Sequence, residues 1–138
     1  MILIDTSVWI EFFKSQSATI NPHIIELLLE EEKLATCFPV ITEVLSGDMS
    51  NKNRAIAWEG FTSMTSFNLD LNSKHTWEEL IELAHLTKKY KLALPGLIDR
   101  IILLTAKKYH LDLWSLDKKL IHLAQNLEIS IFQKEKLN

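Results

Sequence analysis

Short apolar segments alternate along this chain with longer segments whose apolar residues recur at helical spacing, and this alternation restricts the fold most strongly. Strands separated by helices join through right-handed crossovers, which produce a mainly parallel sheet covered by helices on both faces. The sequence therefore predicts an α/β fold, a three-layer α/β/α sandwich around a five-stranded sheet. The predicted strands cover residues 1–5, 34–38, 64–69, 111–115 and 129–132.

The segments between these strands carry signals for the start and end of helices. Pro22 and Pro39 suit the first turn of a helix, and Gly47 suits a helix end. Thr76-x-x-Glu79 resembles a capping box, which predicts a helix start near Thr76. The helices are predicted over about 7–14, from 22 to about 32, 39–47, 50–62, from 76 to about 90, 97–109 and 117–126.

The length and composition exclude several classes of protein. A chain of 138 residues without a Gly- or Ser-rich linker predicts a single domain over 1–138. Three glycines cannot form a phosphate-binding loop, and the single cysteine, Cys37, excludes an intrachain disulfide and a Cys-based zinc site. No segment resembles a signal peptide or a membrane span, so we expect a cytoplasmic protein without a membrane partner.

The charge balance argues against general attraction to nucleic acid. Fifteen Lys and Arg residues against eighteen Asp and Glu residues give a net charge of −3. Proteins that bind by phosphate attraction alone usually carry a basic excess, so any nucleic-acid partner is expected to be held locally. Seven lysines are either phosphate contacts or parts of solvated helix faces: Lys88, Lys89, Lys91, Lys107, Lys108, Lys118 and Lys119.

Four carboxylates occupy positions that suit a metal site. Asp5 follows the first predicted strand and Asp117 the fourth, where an open parallel sheet collects its functional groups. Glu43 and Asp99 interrupt apolar helical segments, and a carboxylate among apolar neighbours needs a partner, a proton or a metal. Mg²⁺, with Mn²⁺ as the alternative, is the natural counterion because hard divalent ions prefer oxygen ligands.

Each of these acids also has a structural interpretation. Asp5 and Asp117 are both suited to cap the helix that follows them. Glu43 and Asp99 lie near helix N-termini, where a negative charge is worth about 0.3–1 kcal/mol. No single acid decides between the interpretations, but four acids at the positions of a metal site favour function.

The motifs around these acids resemble those of a known family. Asp5-Thr-Ser, Ile41-Thr-Glu-Val, Asp99-Arg-Ile-Ile-Leu-Leu-Thr-Ala106 and Ser115-Leu-Asp117 resemble, in order and spacing, the four acidic motifs of PIN-domain nucleases. The short chain is similar in particular to the VapC-type toxins of type II toxin–antitoxin systems. The resemblance covers the chain from residue 2 to about residue 132.

This resemblance implies an endoribonuclease that uses Mg²⁺ to hydrolyse RNA phosphodiester bonds, with transfer RNA as one candidate substrate. Asp5, Asp99, Asp117 and Glu43 would be the metal-binding and catalytic residues, and Thr6, Ser7 and Ser115 would orient them from behind. The partners implied are the RNA, a cognate antitoxin protein, and a second copy of the chain or a toxin–antitoxin hetero-oligomer. The chain departs from the family pattern at Lys119, where many relatives carry a further acid, at Ser115, where Thr is more usual, and at Arg100, where an apolar residue is common.

Aromatic residues and histidines have two interpretations each. Trp9, Trp58 and Trp114 are candidates for base stacking, although tryptophans in apolar segments usually belong to a core. Phe12 and Phe13, with Trp9, would suit a groove for an apolar antitoxin segment. The five histidines lack metal-ligand spacing and are expected at the surface.

Three other functions have to be weighed against the nuclease. A haloacid-dehalogenase-type phosphatase needs an Asp two residues after the first one, where this chain has Ser7. A phosphate-accepting receiver domain needs paired acids at the first strand, and Asp5 has no adjacent acid. A PIN-like module that only binds RNA or protein stays open as the alternative, although the presence of all four acids argues against it.

Overall fold

A computed structural model describes residues 1–14 and 19–133 of the chain. It contains four strands, β1 (Ile2–Ile4), β2 (Leu34–Thr36), β3 (Thr65–Ser66) and β4 (Asp112–Trp114). The helices of the described residues are α1 (Thr6–Phe12), α2 (Pro22–Glu30), α3 (Phe38–Ser46), α4 (Asn51–Ser63), α5 (Lys74–Lys89), α6 (Leu97–Lys108) and α7 (Lys118–Asn126).

The four strands form one parallel sheet in the order β3-β2-β1-β4. Ile2 of β1 lies beside Leu34 of β2 on one side and beside Asp112 of β4 on the other. β1 is therefore a central strand, which explains why its residues Ile2, Leu3 and Ile4 are at most 7% exposed. The predicted α/β fold, a parallel sheet flanked by helices, is confirmed.

The prediction of a fifth strand over 129–132 is wrong. This segment forms a single parallel bridge between Ile131 and Leu113. The Leu113 amide donates to Ser130 O at 2.8 Å, and the Phe132 amide donates to Leu113 O at 2.8 Å. Because the pairing involves only Leu113 of β4, the sheet has four strands with this segment beside its β4 edge.

The predicted capping box is also wrong, because α5 begins earlier. Its first residue is Lys74, and its N-cap is Ser73, whose side chain makes no capping hydrogen bond. Thr76 is 3% exposed and lies inside the helix instead of capping it. The apolar periodicity of the segment identified the helix, but its polar residues did not locate the start.

One large core joins the sheet to the helices around it. All strands except β3 contribute buried residues to this core, and a smaller cluster under α5 contains Leu69, Leu80, Ile101 and Leu104. None of the helices in the described ranges combines the length and hydropathy of a membrane-spanning segment. The single-domain prediction over 1–138 includes residues 15–18 and 134–138, which lie outside the described residues, and it stays a prediction.

Candidate active site

The carboxyl ends of β1 and β4 bring Asp5 and Asp117 to the same edge of the sheet. The Asp5 amide donates to Trp114 O at 3.0 Å, so the first residue after β1 lies beside the last residue of β4. Asp117 follows three residues after Trp114. Glu43 lies on α3, which follows β2, and Asp99 lies in the first turn of α6.

Asp5 is buried and fixed by hydrogen bonds on both carboxylate oxygens. It is 4% exposed. Its Oδ1 accepts from the Ser7 amide at 2.9 Å, the Ser7 hydroxyl at 2.5 Å and the Val8 amide at 3.4 Å. Its Oδ2 accepts from the Ser115 hydroxyl at 2.5 Å. Burial raises the pKa of Asp5, and the hydrogen bonds from Ser115, Ser7 and Val8 partly oppose this shift.

Two hydroxyl groups connect the ends of β1 and β4. Ser7 Oγ accepts from the Leu116 amide at 3.0 Å, and Ser115 Oγ accepts from the Asp117 amide at 3.0 Å. Each hydroxyl therefore accepts a hydrogen bond from a backbone amide that follows β4 and donates a hydrogen bond to Asp5. This arrangement orients the Asp5 carboxylate and fixes its position relative to Asp117.

Asp117 caps α7, as the structural interpretation of this residue predicted. Its Oδ1 accepts from the Lys119 amide at 3.0 Å and the Leu120 amide at 3.4 Å. Asp5 caps α1 in the same way, so the capping interpretation is confirmed for both acids. A cap does not exclude a functional role, since it fixes the direction of the carboxylate at the sheet edge.

Glu43 is exposed on α3 and connected to α1. Its Oε1 accepts from the Thr6 hydroxyl at 2.7 Å. Cys37, the N-cap residue of α3, is fully buried, and burial together with the charge of Glu43 raises the pKa of its thiol to about 11. The neutral thiol is therefore a packing group, and Glu43 is the charged residue that α3 contributes.

Asp99 shows that the four acids act on one another. Burial raises the pKa of its carboxyl group, and repulsion from Glu43, Asp117 and Asp5 raises it further. Asp99 is half-buried, and no hydrogen bond or ion pair forms with its side chain within the described ranges. The structure therefore brings the four predicted acids into electrostatic range of each other.

The four carboxylates have the chemistry of a site for a hard cation, although they are too far apart to bind one ion together. All four groups are carboxylates, and Asp99 is held among like charges without a donor of its own. Within residues 1–14 and 19–133, no three acidic, His or Cys side chains are arranged closely enough to hold one metal ion. Because carboxylates repel each other, such a site needs its cation to draw the groups together.

The basic residues are distributed unevenly around these acids. Lys118 and Lys119 begin α7 directly after Asp117, so they lie near the carboxylate edge. Lys107 and Lys108 are at the other end of α6 from Asp99, about 12 Å along the helix axis. Arg100 is half-buried and donates from Nη1 to Leu80 O at 3.3 Å, so it braces α6 against α5.

Burial decides between the interpretations of the aromatic residues and histidines. Trp9 and Trp114 are 2% and 7% exposed, so both belong to the core and cannot stack on a base. Trp9 packs edge-on against Phe61 with ring centroids 5.2 Å apart. Trp58 is 59% exposed on α4. All five histidines are exposed, which confirms the expectation of surface positions.

A parallel α/β fold with acids gathered at its carboxyl edge defines a class, and comparison with known proteins identifies it. The PIN domain sequence profile matches residues 2–126. The chain therefore belongs to the PIN-domain family.

Curated relatives match about half of the chain. VapC ribonuclease Mb1587 of Mycobacterium bovis and ribonuclease VapC11 of Mycobacterium tuberculosis are each 34% identical to it over 71 residues. The matched region is 51% of this chain and 53% of the length of those relatives. The chain thus spans about half the length of the curated relatives that it matches.

Solved structures share the fold across nearly the whole chain. FitAcB from Neisseria gonorrhoeae superposes with a TM-score of 0.64 at 17% identity, covering 96% of this chain and 97% of that chain. PAE2754 from Pyrobaculum aerophilum gives 0.61 at 16% identity, covering 99% and 90%. At these identities the likeness shows the fold alone.

Proposed function

We propose that this chain is a Mg²⁺-dependent endoribonuclease and the toxin of a toxin–antitoxin pair. The observation that carries this proposal is that Asp5 and Asp117 follow the adjacent strands β1 and β4 at one edge of the sheet, where Asp99 is repelled by both of them and by Glu43. In a structural ion pair the two charges compensate each other, whereas these four negative charges lie together and a bound cation would compensate them. Membership of the PIN-domain family and the ribonuclease names of the curated relatives support the same activity.

Asp5, Asp99 and Asp117 would hold the metal, and Glu43 would either bind it or orient the attacking water. Mg²⁺ is the proposed ion and Mn²⁺ the alternative, because both accept carboxylate and water oxygens in octahedral sites. When bound, such an ion lowers the pKa of a coordinated water and stabilises negative charge on the phosphate being cleaved.

The remaining polar residues position these acids. Ser7 and Ser115 donate to opposite oxygens of Asp5, which fixes the plane of its carboxylate. Thr6 donates to Glu43 and thereby connects the N-terminus of α1 to α3. A positioned carboxylate loses less conformational freedom when it meets a ligand, so these hydroxyls support metal binding without contacting the metal themselves.

The proposed substrate is RNA, with transfer RNA as the finer proposal, and the proposed location is the cytoplasm. A surface suited to an antitoxin lies between α1, α3 and α4. There a cavity of about 750 Å³ is lined by Ile10, Phe13 and Val44, with Lys14 and Asp48 at its polar parts. Ile10 is 49% exposed, so an apolar antitoxin segment would bury it. Assembly as a homodimer or as a toxin–antitoxin hetero-oligomer stays a prediction.

The test compares metal-dependent cleavage by two Asp→Asn variants. Asp5→Asn should abolish Mg²⁺-dependent cleavage of total cellular RNA and leave the fold intact, because an amide oxygen can accept the same bonds from Ser7 and Val8. Asp112→Asn is the matched control, since Asp112 is the first residue of β4 and lies at the amino ends of the strands, away from the carboxylates.

Undiminished cleavage by the Asp5→Asn variant would overturn the proposed function. If the wild-type protein binds RNA but never cleaves it at any Mg²⁺ or Mn²⁺ concentration, the chain is instead the inactive RNA-binding module.

A further inference from the structure

An exposed aromatic side chain lies at the same edge of the sheet as the four carboxylates. Phe38 is 64% exposed, the highest value among the large apolar side chains of the described residues. It is the first residue of α3 and is separated from β2 only by Cys37. An aromatic ring that gains so little from burial in the chain itself is available for contact with a ligand.

The parallel pairing of β1 and β2 places Phe38 and Asp5 at the same edge of the sheet. The two strands run in the same direction, with Leu3 beside Ala35. Asp5 follows the last residue of β1 directly, and Phe38 follows the last residue of β2 by two positions. Because the carboxyl ends of neighbouring parallel strands meet at one edge, Phe38 borders the carboxylate edge.

The backbone of Phe38 is held by contacts on both sides. Its amide donates to Asn68 Oδ1 at 2.7 Å, and its carbonyl accepts from the Thr42 hydroxyl at 2.8 Å. Asn68 is itself fixed, because its Nδ2 donates to Ser66 Oγ at 2.8 Å and its carbonyl accepts from the Tyr109 hydroxyl at 3.0 Å. The backbone that carries the ring is therefore held in place, and only the two side-chain torsions have to be ordered when the ring binds a flat ligand.

The charges at this edge make stacking more valuable than phosphate attraction. Four carboxylates repel a polyanion more strongly than Lys118 and Lys119 at the start of α7 attract it, and Lys107 and Lys108 lie at the far end of α6. Trp9 and Trp114 are buried and unavailable. Stacking on an aromatic ring adds affinity for RNA independently of charge and of base identity.

We propose that Phe38 stacks on an unpaired nucleobase of the RNA beside the cleaved bond. Bases in a duplex have both faces covered by their neighbours, so this contact favours single-stranded RNA. The inference rests on the proposed function for the nature of the substrate.

The experiment measures binding of a fluorescein-labelled single-stranded oligoadenylate RNA by anisotropy, with Ca²⁺ in place of Mg²⁺. Phe38→Ala should raise the Kd about tenfold relative to the wild-type protein, and Phe38→Trp should restore it. A second oligonucleotide with the same backbone but abasic sites should bind the wild-type protein and the Phe38→Ala variant equally. Because Phe38 is exposed, the thermal unfolding of the variants should match that of the wild-type protein.

Trp58→Ala is the control variant. Trp58 has a comparable exposure of 59% and is the one tryptophan of the three stacking candidates that burial does not exclude, so this variant tests whether any exposed aromatic ring would serve. It lines a cavity with Leu45, about 10 Å along α3 from Phe38. The Kd of this variant should equal that of the wild-type protein.

The inference is overturned if Phe38→Ala binds oligoadenylate as tightly as the wild-type protein. It is also overturned if the substitution weakens binding of the abasic oligonucleotide as much as binding of oligoadenylate. It is also overturned if the substitution weakens only a complex with a protein partner. If the wild-type protein cleaves RNA and Phe38→Ala binds RNA as tightly as the wild-type protein, the stacking contact is refuted and the proposed function stands. If Phe38→Ala weakens RNA binding but the wild-type protein does not cleave RNA, the proposed function is refuted and the stacking contact stands.

Discussion

Asp99 is the acid whose pKa is raised by both burial and repulsion from the other three carboxylates. Its pKa is raised by burial first and then by Glu43, Asp117 and Asp5, and no donor within the described ranges compensates its charge. Asp5 has a raised pKa as well, but four hydrogen bonds oppose the shift there. Asp99 is therefore the acid whose removal should change the behaviour of the apo-protein most clearly.

A raised pKa links Asp99 to the pH dependence of stability. The folded state holds the proton more tightly than the unfolded state, whose carboxyl group titrates near the ordinary value of 3.8. Between that value and the raised pKa of the folded state, folding takes up protons, so the free energy of unfolding falls as the pH rises through this window.

We predict that Asp99→Asn is more stable than the wild-type protein at neutral pH without divalent cations. The variant should also lose part of the decline in stability above pH 3.8. Thermal unfolding of both proteins in EDTA across this pH range checks the prediction. Parallel curves with the same pH dependence would show that Asp99 is not under the repulsion described.

Several helices of this chain end with a residue other than glycine in the left-handed conformation. Four helices are followed by a residue with positive φ that is not glycine: Glu32, Lys91, His110 and Glu128, with φ between 54° and 61°. The residue after each of them donates to a carbonyl of the last helical turn, as in the bond from the Leu111 amide to Ala106 O at 2.9 Å. This pattern closes a helix in the left-handed conformation that glycine normally supplies, so each site carries conformational strain.

We predict that His110→Gly stabilises the protein by about 0.5–1 kcal/mol. His110 is exposed and lies between α6 and β4, away from the carboxylate edge. Denaturant unfolding measures the effect, and His110→Ala is the control, because alanine keeps the cost of the left-handed conformation. Equal stability of the Gly and Ala variants would contradict the account of strain.

The elements also show what could be predicted from the sequence. Hydrophobic patterning located the helices and the strands β1, β2 and β4, because these elements bury apolar side chains at regular spacing. Both residues of β3 are exposed, so burial does not explain its position. The fifth strand failed because strand identity depends on pairing, and only Leu113 pairs with the segment near Ile131.

The relative positions of two of the predicted acids follow from the topology. Asp5 and Asp117 follow strand ends, so topology alone brings them together, and their capping bonds follow from the same positions. Phe38 was not singled out, because exposure of an aromatic residue in an apolar segment cannot be read from spacing. The sequence Phe38-Pro39 directly after a strand was the available signal, since it places the ring at the first turn of a helix on the carboxylate edge.

The molecule as a whole gathers four acids at one edge of the sheet. Lys118 and Lys119 lie beside these acids at the start of α7, while Lys107 and Lys108 lie at the opposite end of α6 from Asp99. The net charge of −3 therefore does not exclude an RNA substrate, because two divalent cations would carry more positive charge than this excess. We predict that this edge binds a divalent cation.

Titration with Mn²⁺, followed by electron paramagnetic resonance, tests this claim most directly because it requires no knowledge of the RNA. The wild-type protein and the Asp112→Asn control should bind Mn²⁺ with the same affinity, and Asp99→Asn should bind it at least about tenfold more weakly. Equal Mn²⁺ affinity in the Asp99→Asn variant and the wild-type protein, or no binding by the wild-type protein, would contradict the account.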